Sequence, residues 1–189
     1  LPGTTGATYP FWSADGSTLG FFAQGKLKKV GVAGGPPVAI CDAIDGRGAT
    51  WNADGVILFA SGPSGPIYRV PTTGGTPEPV TEVPKGDRGG HRFPSFLPDG
   101  QHFFYAAGSD QPDQIGIYVG ALDKSAPIRL LPENSNIVYA AAGGQGYVLF
   151  RRDETLMAQA FDAKSFRLAG DLVPIAEQVP ISQNVGFGA

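Results

Sequence analysis

The chain has 189 residues, enough for one domain of ordinary size, with 42% hydrophobic residues, 11% aromatics and only 16% charged residues. That balance excludes a disordered chain, which is poor in aromatics and rich in charge, so the 28 glycines and 17 prolines punctuate many short elements. A net charge of −3 gives no footprint for nucleic acid or an anionic membrane, no apolar run nears the roughly 18 residues of a membrane span, and the single Cys41 excludes an internal disulfide or a cysteine-rich metal site.

In chain order, the first unit opens with Tyr9-Pro10-Phe11-Trp12-Ser13-Ala14-Asp15-Gly16 and continues through Leu19 to Ala23, Leu27 to Val30, Gly34-Gly35-Pro36-Pro37 and Val38 to Ile40. The second has Trp51-Asn52-Ala53-Asp54-Gly55, Val56 to Ala60, Ile67 to Val70, Gly74-Gly75-Thr76-Pro77 and Pro79 to Thr81. The third has Phe93-Pro94-Ser95-Phe96-Leu97-Pro98-Asp99-Gly100, Phe103 to Ala106, Ile117 to Gly120, Leu122 to Pro127 and Ile128 to Leu131. A fourth, degenerate unit replaces Asp-Gly by Gly143 to Gly146 and ends near Ile175, after which Val185 and Phe187 begin another alternation. The turn aspartates stand 39 and 45 positions apart (15 to 54, 54 to 99), near the ~40–45 residue period of a propeller blade. Asp-Gly between apolar runs signals a hairpin, because glycine takes positive φ without strain. Each unit therefore reads as four short strands, and no segment shows convincing helical periodicity. A lone sheet of this kind cannot bury both faces, whereas radial stacking buries each against the next.

The aromatic, Asp-Gly and Ile-Tyr pattern resembles the repeats of TolB-type, WD40-like β-propellers, through three units well and the fourth loosely. The fuller wording, Tyr68-Arg69-Val70-Pro71 before Gly74-Gly75 and Gly116 to Gly120, is similar to bacterial propellers C-terminal to receptor-type serine/threonine kinases. The resemblance implies an all-β chain of about four four-stranded antiparallel blades within a larger propeller. The repeats span about 8–41, 48–83, 91–132 and 136–179, and a further strand starts in 180–189. Three arrangements stay open: a piece of a longer propeller, a closed four-bladed ring in which 181–188 pair with the first unit, and a self-associated assembly through exposed blade faces.

The turn positions Asp15, Gly16, Asp54, Gly55, Asp99 and Gly100, with the aromatics Trp12, Trp51 and Phe96 packed between blades, read as structural repeat positions. One aspartate per blade cannot converge on a metal or on acid–base chemistry. His91, Ser95 and Asp99 can be drawn as a triad, but Ser95 lacks a nucleophile-elbow context. His102 reads as a packed strand residue, and Cys41 as a small buried hydrophobe. No cofactor or metal-binding pattern is present. In such blades the first-to-second and third-to-fourth turns share one face, here uniform. The second-to-third loops and the crossings share the other, here irregular, and irregular loops on a rigid scaffold are where binding concentrates. That face carries Arg47, Lys85, Arg88, His91, Arg92, Asp110, Asp113 and Arg152, of which Arg47, Arg88, His91, Arg92, Asp110 and Asp113 form the expected partner-binding set.

The expected function is a non-catalytic recognition module for a protein or small ligand, with no reaction of its own. It would serve as the sensor or interaction region of a bacterial surface or periplasmic protein. The alternative is a gating domain of a peptidase or other hydrolase whose catalytic residues lie outside this chain.

Overall fold

The computed structural model describes residues 3–182 and 186–187. Sixteen strands form four antiparallel sheets in strict chain order. The first sheet holds β1 (Thr8–Trp12), β2 (Thr18–Ala23), β3 (Lys26–Gly31) and β4 (Val38–Asp42), the second β5 (Ala49–Trp51), β6 (Val56–Ala60), β7 (Ile67–Pro71) and β8 (Glu78–Pro79). The third holds β9 (His91–Phe96), β10 (His102–Ala107), β11 (Gly116–Ala121) and β12 (Ile128–Leu131), the fourth β13 (Ile137–Ala142), β14 (Gln145–Arg152), β15 (Thr155–Asp162) and β16 (Arg167–Ala176). First strands meet first strands, β1 with β5, β5 with β9 and β9 with β13, so the sheets fan out around a shared axis as propeller blades do.

The second strand of each of the first three blades carries consecutive apolar residues because both of its faces are covered. Phe22 and Leu27 of the first blade join Ile57, Phe59 and Val70 of the second in one core. Leu58 and Ile67, on the opposite side of the second blade, join Phe103 and Tyr105 of the third. Phe104 and Ile117 then join Val148, Phe150 and Phe161 of the fourth. Each of these three cores thus belongs to a pair of blades, and only a smaller cluster, Phe21, Ala23 and Val30, lies within one blade, the first.

The hairpin tips are alike. Gly16, Gly55 and Gly100 have φ of +68°, +76° and +67°, and each donates its N–H to the carbonyl three residues earlier. The aspartates keep negative φ, and two of the three act through their side chains instead. Asp15 Oδ1 accepts the Ser17 N–H at 3.0 Å, and Asp99 Oδ1 accepts the Gln101 N–H at 2.9 Å. Hydrogen bonds from the Ser13 hydroxyl, then from the Ser17 backbone and hydroxyl, hold the Asp15 carboxyl down to about 2.

Two expectations are corrected here. Trp12 does not pack between blades but is 59% exposed, while Trp51 and Phe96 are half-buried. Trp51 reaches back to Phe11 of the first blade, ring centroids 6.5 Å apart, and Phe96 packs on the core shared by the second and third blades. This position therefore faces the preceding blade, and β1 belongs to the first of the described sheets. The pairing of 181–188 with the first unit, which the closed-ring arrangement required, is also not seen among the described residues. Ile181–Ser182 and Gly186–Phe187 pair with each other, a local closure that orders less chain than a return to β1, and Val185 lies outside the described residues.

Candidate functional site at the irregular mouth of the propeller axis

Where the first strands begin, on the irregular face, three residues in register share an unusual backbone. Tyr9, Gly48 and Phe93 each stand six positions before a turn aspartate, and their φ values are +49°, +94° and +55°. For a bulky aromatic this region is a true outlier. A register shift accompanies it in β1 (between Thr8 and Phe11) and in β9 (opposite Phe104 to Ala106). Neighbouring blades hold the distortion: the Phe93 N–H donates to the Arg47 carbonyl at 2.9 Å, and a Cβ at Gly48 would lie 3.0 Å from Phe93 Cα. Strain of about 1–3 kcal/mol per residue persists only where its surroundings impose it, and such positions cluster at functional sites. The sequence signal was an aromatic before proline in the first and third repeats, Tyr9-Pro10 and Phe93-Pro94, matched by glycine in the second. By itself this pattern reads as plain strand.

The four first strands line an open axial cavity of about 310 Å³, whose walls include Tyr9, Pro10, Thr50, Phe93, Ser95 and Ile137. The Tyr9 and Phe93 rings lie 6.2 Å apart in its wall. Around its mouth, on segments that adjoin the walls and not in the lining itself, are three guanidiniums and two carboxylates. Arg47 pairs with Asp45 at 2.8 Å. Both Arg152 Nε and Arg152 Nη2 donate to Glu133 Oε1, leaving Glu133 Oε2 buried and unpartnered. Arg92 has no carboxylate within ion-pair reach among the described residues. Its Nη2 donates to Asn134 Oδ1 at 3.5 Å, its buried Nε has no partner, and its guanidinium lies 6.0 Å from the centroid of the Phe93 ring. Burial, then the nearby positive charge of Arg47, pulls the Arg92 pKa below its ordinary value. Asp45, Glu133 and Asn134 were not singled out from the sequence, since a crossing loop gives no register from which to place them.

The remaining residues of the expected set lie further out. Arg88 Nε and Asp110 Oδ2 form an exposed pair at 3.3 Å, and Asp113 sits in an exposed 3-10 turn, Pro112–Gln114. Asp87 orders both loops by accepting the N–H groups of Gly89 (2.7 Å) and Asp110 (3.0 Å) and the Ser109 hydroxyl. His91 does not offer its ring to the surface but is 7% exposed beneath this face. Thr81 Oγ1 accepts the Ile67 N–H and shares a hydrogen bond with His91 Nδ1, both at 2.8 Å. The ring packs on Tyr105 at 4.7 Å, and burial drives its pKa down to about 4. His91, Ser95 and Asp99 do not converge: Asp99 binds His102 Nδ1 at 2.6 Å at the opposite end of β9. Cys41 is half-buried, and burial raises its pKa to about 11, the reverse of a reactive thiol. No group of three or more metal-ligating side chains occurs among the described residues.

No family model and no curated protein sequence matches the chain. Solved structures do. A protein described as a TolB from Agrobacterium tumefaciens superposes with a TM-score of 0.64 at 22% identity, over 93% of this chain and 62% of that one. The Xanthomonas campestris gluconolactonase XC5397 gives 0.67 at 15% identity, over 89% and 61%, and a chain of the nidogen/laminin complex gives 0.64 at 10%, over 88% and 62%. The chain thus spans less than two thirds of each of these structures. At such identities the likeness establishes the fold, a TolB-like β-propeller of four-stranded antiparallel blades. It also corrects the expectation that no reaction belongs here. A gluconolactonase shares this fold, so hairpin repeats without a recognisable catalytic motif do not mark a chain as non-enzymatic.

Proposed function

We propose that the chain is the recognition part of a β-propeller and engages a protein or small ligand on its irregular face. Arg47, Arg88, Arg92, Asp110 and Asp113 provide the polar contacts, with His91 bracing the face from beneath. The observation that carries this reading is the contrast between the two ends of one scaffold. The hairpin end repeats one ordered turn, whereas the other end gathers the long loops, the strained Tyr9 and Phe93 and the uncompensated Arg92 around an open cavity. Rigid scaffolds place recognition on such loops. The likeness to TolB structures, with the sequence resemblance to kinase-associated propellers, supports a sensor or interaction role in a bacterial surface or periplasmic protein. Among the described residues no helix is long and apolar enough to cross a membrane.

The test uses a photo-crosslinking residue placed singly at Arg88, Asp113, Ala14 or Ala53 in cells that express the chain. Adducts arising from positions 88 and 113 and not from 14 and 53 are expected. Adducts confined to 14 and 53, on the hairpin end, would overturn the assignment.

A further inference from the structure

We propose that the axial mouth is a carboxylate site: Arg92 takes the carboxylate of a monoanionic ligand whose apolar body enters the cavity against Phe93 and Tyr9. This rests on the reading of the irregular face as the recognition face and adds the chemistry that face selects. Three observations lead to it. The two acids of the mouth are already committed, Asp45 to Arg47 and Glu133 to Arg152, so among the five charged groups one positive charge is left over and it sits on Arg92. A guanidinium carries five N–H donors in a planar fork matched to a carboxylate, yet Arg92 has one long bond to a neutral amide among the described residues. Removing a charge from water without a partner is costly, so a half-buried cation left bare beside a cavity is arranged for an anion that arrives from outside.

The cavity decides which anion. A doubly charged phosphate would exceed the single surplus charge, whereas a carboxylate matches it. Tyr9, Pro10, Phe93, Pro94, Ile137 and Val138 make the walls chiefly apolar, with Thr50, Ser95 and Asn136 as neutral polar groups. The ligand class is therefore an acid with an apolar or aromatic body. Such a group is found on a free small acid and at the C-terminus of a peptide ending in an apolar residue.

Amide chemical shifts of the full chain, titrated with four probes, separate these cases. The probes are benzoate, its neutral isostere benzamide, acetyl-Gly-Leu as the free acid, and the same peptide as the amide. Saturable shifts at Gly48, Phe93, Asn134 and Asn136 are expected with one or both acids, and affinity for the matching amides should be at least about tenfold weaker, as loss of a charge-assisted pair implies. Preference for benzoate points to a small acid and preference for the peptide acid to a chain terminus. Arg92→Gln should abolish the acid-over-amide preference, Arg92→Lys should keep only part of it, and Lys164→Gln, at the hairpin end, should leave it intact. Acid and amide binding alike, shifts confined to other regions, or no saturable shift with either acid would each overturn the proposal. The comparison within the unmodified protein needs no variant to fold. If the acids fail while crosslinks still map to positions 88 and 113, the face assignment stands and the carboxylate site falls.

Discussion

His91 shows how one side chain couples solution conditions to the fit between blades. Its folded pKa of about 4 lies below the ordinary histidine value of about 6.5 because burial disfavours the charged ring. The unfolded chain therefore takes up the proton first. The stabilising contribution is complete above pH 6.5, declines as pH falls through 6.5 towards 4, and is exhausted below 4, with a total loss of ~3 kcal/mol. Thermal melts across that window should show this fall, and His91→Gln should flatten it. Asn52 has a different task at the hairpin end. It is 5% exposed, accepts the Val56 N–H and donates to the Gly100 carbonyl of the next blade, both at 2.9 Å. Asn52→Ala leaves these partners unpaired and should cost ~1–3 kcal/mol in urea unfolding. Gly55→Val forces a branched side chain to φ +76° and should cost ~1–2 kcal/mol, whereas Gln111→Ala, in an exposed loop, should stay within ~0.5 kcal/mol.

At the scale of the element, the second strands carry the molecule. Phe59 is fully buried and packs on Phe22 of the preceding blade at 6.4 Å and on Tyr68 of its own at 5.8 Å. Phe59→Ala should cost ~3–5 kcal/mol and should loosen the first and second blades together, read as parallel loss of amide protection in β2 and β6. Unchanged protection in β2 would mean that the blades are more independent than their shared core implies. The strands and their hairpins were legible from the sequence because the signals are local: an apolar run, then Asp-Gly or Gly-Gly, with a period that repeats. The bulges at Tyr9 and Phe93 were not. An aromatic before proline is ordinarily extended, and only the Arg47 carbonyl of the neighbouring crossing and the close approach of Gly48 force the alternative.

The whole molecule leaves its two flanking sheets unequally covered. Trp12 on the first blade is 59% exposed, and Val173 and Ile175 on the fourth are 52% and 57% exposed. Exposed apolar surface of this kind favours association. In sedimentation, the chain taken alone at rising concentration should run heavier than its 19.6 kDa, and Trp12→Glu should shift it back towards that mass. A monomer at every concentration would show that these flanks are too small or too scattered to pair. The sequence by itself determined the all-β class, the four-strand unit, the turn aspartates and which end of the blades is irregular, since each depends on residues close together in the chain. Only the tertiary structure decided that His91 lies beneath the loops and that Trp12 faces outward. It also decided that Asp45 and Glu133 are already paired and that Arg92 is left bare beside the axis. Those facts depend on which blade stands next to which, and on how charges from separate crossings divide among themselves once they are brought to one mouth.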